Sequence, residues 1–146
     1  MLGGVGIFTA VARRKILDPT EEEDLSLPNA QTEASELAFI AAYLRRYLGA
    51  DVTAYLSGSE NVADVGRWVS GEAEPAPLPA GRLRYGYETV RPIVDRYDGD
   101  TAKAWLFGTN PWLRDEAPAY VLRHSDRPEA WQRVVGAAQD FAEFKR

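Results

Sequence analysis

The chain of 146 residues contains no cysteine and a single histidine, His124. The lack of cysteine excludes disulfide bonds and thiolate metal sites, and it is compatible with a reducing cytosol. One histidine is too few for most zinc sites and for most histidine-dependent catalytic triads. No pair of carboxylates stands out as an acid–base couple in so charged a sequence. We therefore expect no catalytic centre, no metal and no cofactor, in a protein that is not an enzyme.

Long hydrophobic runs are also missing. No stretch approaches the roughly 20 apolar residues that a membrane span needs. The apolar residues 1–12 form a short segment whose basic residues follow it, whereas a secretory signal places them first. The sequence thus predicts a cytoplasmic protein that makes no contact with a membrane.

Basic residues are fewer than acidic ones: the chain has 17 Lys and Arg against 22 Asp and Glu, which gives a net charge of −5 and a pI near 4.9. This balance argues against non-specific binding to nucleic acid. The acidity is concentrated in residues 18–36, which include seven Asp and Glu and no basic residue. We interpret residues 1–34 as an N-terminal extension, acidic and partly ordered.

Apolar residues recur at spacings of three and four in the rest of the chain, and no segment alternates as a strand would, so the pattern predicts an all-α fold. Ser35 is a candidate cap for a first helix that ends near Leu48. Residues 35–74 are predicted to form a helix-turn-helix-like domain, residues 75–81 a proline-rich linker, and residues 82–146 a second helical domain. Pro92 is expected to kink or divide a helix of this second domain. A capping box of Asp126 and Glu129 should begin its last helix.

The segment of residues 104–113 is the most informative in the chain. Two tryptophans and a phenylalanine fall within eight of its residues, a density typical of a core or of a docking face. Trp105 and Leu106 should anchor the core, and an Asn110–Pro111 turn should begin the next short helix. The residues from Asn110 to Tyr120 are then either further core or a face for a partner.

This pattern resembles the C-terminal domain of the Xre/MbcA/ParS family of antitoxins, at the matching positions Trp105, Leu106, Asn110, Leu113, Pro118 and Leu122. The resemblance implies an antitoxin of a type II toxin–antitoxin system, which binds a RES-domain toxin and blocks its NAD-consuming active site. It also implies a homodimer or a hetero-oligomer with the toxin. The candidate toxin-binding residues are Asn110, Trp112, Leu113, Arg114, Tyr120, Phe144 and Arg146. The chain departs from the family pattern at Trp112 and Pro92, which bears on the identity of the partner more than on the fold.

Residues 51–71 also resemble the helix-turn-helix of Xre-type DNA-binding domains. In such motifs the second helix enters the major groove, and here its candidate reading residues are Asn61, Asp64 and Arg67. Affinity for DNA comes chiefly from neutralised phosphates, and one cation among several carboxylates suits that task poorly. The fold retained without DNA binding, DNA reading through a dimer or a complex, and a plain helical hairpin all stay open. The alternative function is a helix-turn-helix DNA-binding transcriptional regulator, with or without control of its own operon.

Overall fold

The computed structural model describes residues 30–144, and from Ala34 onward the chain forms one compact unit. Most of the predicted acidic extension, and Arg146 among the candidate toxin-binding residues, lie outside the described residues. All regular structure between residues 30 and 144 is helical, which confirms the all-α prediction for this part of the chain. Its elements are α1 (Ala30–Leu48), α2 (Ala50–Ser57), α3 (Ala63–Ser70), α4 (Pro77–Arg96), α5 (Gly99–Phe107), a 3-10 helix (Pro111–Leu113), α6 (Pro118–His124) and α7 (Pro128–Glu143).

Helix α4 lies at the centre of the unit. It packs most extensively against α7 and also contacts α2, α5 and α6. The rings of Phe39 and Tyr43 in α1 also meet Tyr87 of α4 edge-on. The core between these helices contains fully buried leucines from both halves of the chain: Leu44, Leu56, Leu83, Leu106 and Leu122. Each such side chain contributes roughly 1.5–3 kcal/mol relative to an exposed one.

Arg123 connects the residues predicted as separate domains, whereas Arg82 joins α4 to the end of α6 within the second of them. The Arg123 guanidinium in α6 donates to the carbonyl of Tyr55, 2.9 Å away, near the end of α2. The Arg82 guanidinium in α4 donates to the carbonyl of Ser125 at 3.1 Å. A cation beside the last carbonyls of a helix satisfies groups that lack partners within the helix. Residues 35–74 and 82–146 therefore share one core rather than each enclosing its own.

The prediction of a linker over residues 75–81 is wrong from Pro77 onward, because that proline begins α4. Proline is tolerated in a first helical turn, where the backbone N–H groups lack intrahelical partners. Helix α4 also continues undivided through Pro92 to Arg96. The carbonyl that loses its partner there belongs to Glu88, an exposed residue, and the buried Val90 and Ile93 hold the helix against the core on either side of the proline.

Three predicted helix starts are also corrected. Helix α1 begins at Ala30, five residues before Ser35. For helix α5 the sequence suggests Asp100 or Thr101 as the cap, but the cap is Asp98, whose carboxylate accepts from Thr101 N at 2.7 Å. Helix α7 begins at Pro128 with no side-chain cap, so the predicted capping box does not form. Proline at the first position fixes the backbone angle of a helical start and removes one donor that a cap would otherwise satisfy.

Candidate functional site

The turn that follows α5 is organised by Asn110. Its side-chain oxygen accepts from Trp112 N at 2.9 Å, as an N-cap does, which confirms the predicted capping role. Its backbone carbonyl accepts from Leu113 N at 2.9 Å and from Asp115 N at 2.8 Å. Asn110 is itself largely buried, and its hydrogen bonds hold the turn in place.

The next residues adopt an uncommon backbone conformation. Arg114 and Asp115 both have positive φ angles, 58° and 64°, in the left-handed region that favours glycine. This conformation costs other residues roughly 1–2 kcal/mol each. Such strain persists only where surrounding contacts impose it, and it concentrates at functional sites.

Neighbouring side chains in this turn have opposite environments. Leu113 points into the core and is 6% exposed, whereas Trp112 is 78% exposed, the highest value among the large apolar side chains described. A tryptophan this exposed leaves most of its apolar surface in water. The turn thus uses Leu113 to fix itself to the core and presents Trp112 outward.

Trp112 stands between two surface grooves. The first, here called the cationic groove, has a volume of about 540 Å³ and is lined by Trp112, Arg114, Glu116, Tyr120, His124, Arg127, Ala130 and Arg133, among others. The second, here called the aromatic groove, has a volume of about 420 Å³ and is lined by Tyr97, Trp105, Asn110, Trp112, Asp140, Phe141 and Phe144, among others. A single exposed ring therefore forms one wall of both grooves.

Aromatic contacts extend beyond the cationic groove. Tyr120 and His124 stack with ring centroids 4.0 Å apart, and His124 meets Tyr55 edge-on at 6.4 Å. Tyr55 in turn contacts Phe107 at 5.7 Å. Tyr120 is 46% exposed and Phe107 is 48% exposed. Exposed aromatic surface thus continues from the Trp112 turn across the end of α6 to α5.

The candidate toxin-binding residues divide into two groups. Asn110 and Leu113 are buried, whereas Trp112, Arg114, Tyr120 and Phe144 are exposed around the two grooves. Trp105 is half-buried: it packs against the core, as expected, but it also lines the aromatic groove, while Leu106 is fully buried as expected. Sequence reasoning missed Arg127 and Arg133 as groove residues. The available signal for Arg133 was its spacing of three from the buried Ala130 in α7, whereas Arg127 precedes Pro128 at the start of that helix, with an extended backbone.

The candidate DNA-reading residues are engaged with one another and with the turn before α3. Asn61 Oδ1 accepts from Ala63 N at 3.0 Å. Asp64 accepts a hydrogen bond from the Ser59 hydroxyl at 2.7 Å and pairs with the Arg67 guanidinium at 2.6 Å. The Ser59 hydroxyl and the Arg67 guanidinium hold the pKa of Asp64 below its usual range, so its carboxylate is charged at neutral pH. The single cation of α3 is therefore neutralised within its own helix.

Two further observations bear on the kind of site. Residues 30–144 include no group of three or more His, Asp or Glu side chains placed to hold a metal ion. In the same part of the chain, no helix combines the length and apolar character needed to cross a membrane. The features of the described surface that could bind a partner are the two grooves, with the aromatic rings and arginines that line them.

No protein family, curated protein or solved structure gives a match to this chain. The resemblance to the antitoxin family consequently stays a prediction.

Proposed function

We propose that this chain is an antitoxin that binds a RES-domain toxin directly, with Trp112 at the centre of the contact, and blocks its NAD-consuming active site. The observation that carries the proposal is the outward presentation of Trp112, 78% exposed, on a turn fixed by Asn110. Tryptophan, tyrosine and arginine dominate the binding energy of protein interfaces. Trp112, Tyr120 and Arg114 bring these three residue types together on one face.

Burial of the exposed Trp112 ring by a partner would contribute a large free energy of binding. An aromatic side chain covers about 150–250 Å² of surface, so burying the exposed part of Trp112 removes on the order of 150 Å² from water, worth about 4 kcal/mol as an upper bound. The hydrogen-bonded turn fixes the backbone of Trp112 before a partner arrives. Because less conformational freedom is lost on binding, more of this energy appears as affinity.

Polar side chains around the ring complete a surface of the kind that proteins use for docking. Interfaces combine an apolar centre with a polar rim. The aromatic groove supplies Trp105 and Phe141 as partly buried walls, and Arg114 and Glu116 lie at the margin of the cationic groove. The proposed complex is a hetero-oligomer with the toxin, formed in the cytoplasm.

The alternative function, a helix-turn-helix regulator, has less support. The pairing of Arg67 with Asp64 leaves α3 without an unengaged cation for a phosphate. Control of the operon, if it belongs to this protein, would then require the complex with the toxin.

The test is coexpression of the full chain with the product of each neighbouring gene. One of these products alone should arrest growth, and the chain should restore growth and copurify with it. Trp112→Ala should weaken that complex by about a hundredfold, as expected for a central tryptophan, without unfolding the protein. Phe39→Ala is the matched control, because Phe39 is also an exposed aromatic, at 59%, but lies in α1 and lines neither groove.

Two results would contradict the proposal. One is that neither neighbouring product arrests growth or forms a stable complex with the chain. The other is that Trp112→Ala neutralises the toxin as well as Phe39→Ala does.

A further inference from the structure

We propose that the cationic groove receives an acidic segment of the partner protein, one that carries several Asp or Glu side chains. The inference rests on the proposed function and specifies the chemistry of the partner at the same face. It begins from the charges around the groove, which comprise three arginines and one carboxylate, Arg114, Arg127, Arg133 and Glu116. This local excess of cations occurs in a chain whose net charge is −5.

Among residues 30–144 these arginines have no strong ion-pair partner. Neither Arg114 nor Arg133 takes part in an ion pair within residues 30–144. The Nε atom of Arg127 lies 3.9 Å from Glu129, and both side chains are at least 70% exposed, so that pair contributes little. By contrast, Arg123 is engaged by two backbone carbonyls and by Glu60.

The three arginines come from two separate parts of the chain. Arg127 and Arg133 flank Ala130 at the start of α7, and Ala130 is only 8% exposed and lines the groove between them. Arg114 belongs to the turn that follows Trp112, where its backbone is left-handed, and it lines the groove from that side. Three like charges around one concave surface repel one another, and a bound anion relieves that repulsion.

Trp112 couples this groove to the proposed interface. Because its ring forms a wall of the cationic groove, a protein that covers Trp112 also covers the groove and removes water from the arginines. A guanidinium that loses water without gaining a counter-charge weakens a complex strongly. Carboxylates offer the matched partner, because arginine donates to them through two parallel hydrogen bonds.

An acidic peptide segment fits these observations better than nucleic acid does. The groove presents Trp112 and Tyr120 beside its arginines, the combination enriched at protein interfaces. The protein as a whole is acidic, which opposes the long-range approach of a polyanion such as DNA. A short acidic segment in an otherwise complementary partner contributes mainly to register and to slow dissociation.

The experiment measures dissociation of the full-length protein from the copurified partner at sodium chloride concentrations from about 0.05 M to about 0.5 M, a range over which screening of charges changes strongly. The wild-type complex should dissociate faster as salt increases. The double reversal R127E/R133E should dissociate at least about thirtyfold faster at low salt, with a weaker dependence on salt. R45E is the control, because Arg45 is exposed in α1 and lines neither groove, and it should behave as wild type.

The neutral variant Arg133→Gln covers the case in which the double reversal fails to fold, and about a threefold or larger increase in its dissociation rate supports the inference. Either variant, R127E/R133E or Arg133→Gln, must first be shown to be folded. If it then dissociates like wild type at every salt concentration, the proposal that the groove receives an acidic segment is refuted, while the antitoxin proposal stands. If the wild-type protein forms no complex with the product of either neighbouring gene, both the antitoxin proposal and the acidic-segment proposal are refuted. Binding of duplex DNA that depends on these arginines would assign the groove to nucleic acid and overturn the inference.

Discussion

Replacement of Leu113 and of Trp112 by alanine, one at a time, should have opposite consequences for stability although the two residues are adjacent. Leu113 is 6% exposed and belongs to the main core cluster. Trp112 is larger, but most of its surface is already in water. Residue size alone would predict that the tryptophan substitution is the more damaging of the two. The geometry of the turn predicts the reverse.

The magnitudes follow from burial. Leu113→Ala removes a buried side chain and leaves a cavity, a change that costs about 2–4 kcal/mol. For a unit of this size such a loss lowers the melting temperature by roughly 10–15 °C. Trp112→Ala should change the free energy of unfolding by about 0.5 kcal/mol or less, as substitutions at exposed positions usually do.

Thermal and urea unfolding of the full chain, followed by far-ultraviolet circular dichroism, measures both changes. Each variant should retain wild-type helicity at low temperature, so that the midpoints are comparable. Equal destabilisation by the two substitutions would refute the reasoning, because it would mean that Trp112 packs against the protein in solution. The proposed role of Trp112 as a presented anchor would fall with it.

Two further predictions concern the stability of the protein at high pH and its affinity for duplex DNA. Burial, reinforced by the charge of Asp95, raises the pKa of Tyr43 to about 12, and its buried hydroxyl has no hydrogen-bond partner in the described part of the chain. The folded state therefore holds this proton more tightly than the unfolded chain, whose tyrosines titrate near about 10, and the associated stability is intact below about pH 10 and lost as the pH rises towards 12. Tyr43→Phe should consequently be neutral or stabilising at pH 7 and should lose less stability than wild type in urea titrations above about pH 10; a marked loss at pH 7 would show that the hydroxyl has a partner. The isolated protein should bind duplex DNA in fluorescence anisotropy at about micromolar affinity or weaker at physiological salt, and tight, selective binding to its own promoter would contradict this.

The helical class and much of the core could be predicted from sequence because both depend on local periodicity. Leu44 and Leu83, which lie three and four positions from other apolar residues, are both fully buried, as such spacing predicts. Asn110 caps its turn as expected, since an Asn–Pro step constrains the backbone within a few residues. Helix starts were less predictable, because proline and Asp compete for neighbouring positions, as Asp126 and Pro128 do before α7.

The candidate site was only partly predictable because it depends on packing between distant segments. Nothing in the sequence distinguishes the buried Leu113 from the exposed Trp112, since a single 3-10 turn is too short to show a period. The cationic groove forms only when α7 brings Arg133 beside a turn about twenty residues earlier in the chain. Trp105 was assigned to the core on residue type, whereas its place beside the aromatic groove depends on how α5 packs near Phe141, 6.1 Å away between ring centroids.

The two left-handed residues, Arg114 and Asp115, have a consequence for how this sequence can change over generations. Glycine or asparagine at either position would relieve the local conformational cost, so mutation and selection for stability alone should favour them there. A lineage that keeps arginine at position 114 must therefore be under selection for something other than stability. Among descendants of this gene, the residue at position 114 should thus record whether the partner is still present: arginine where it persists, and glycine where it has been lost.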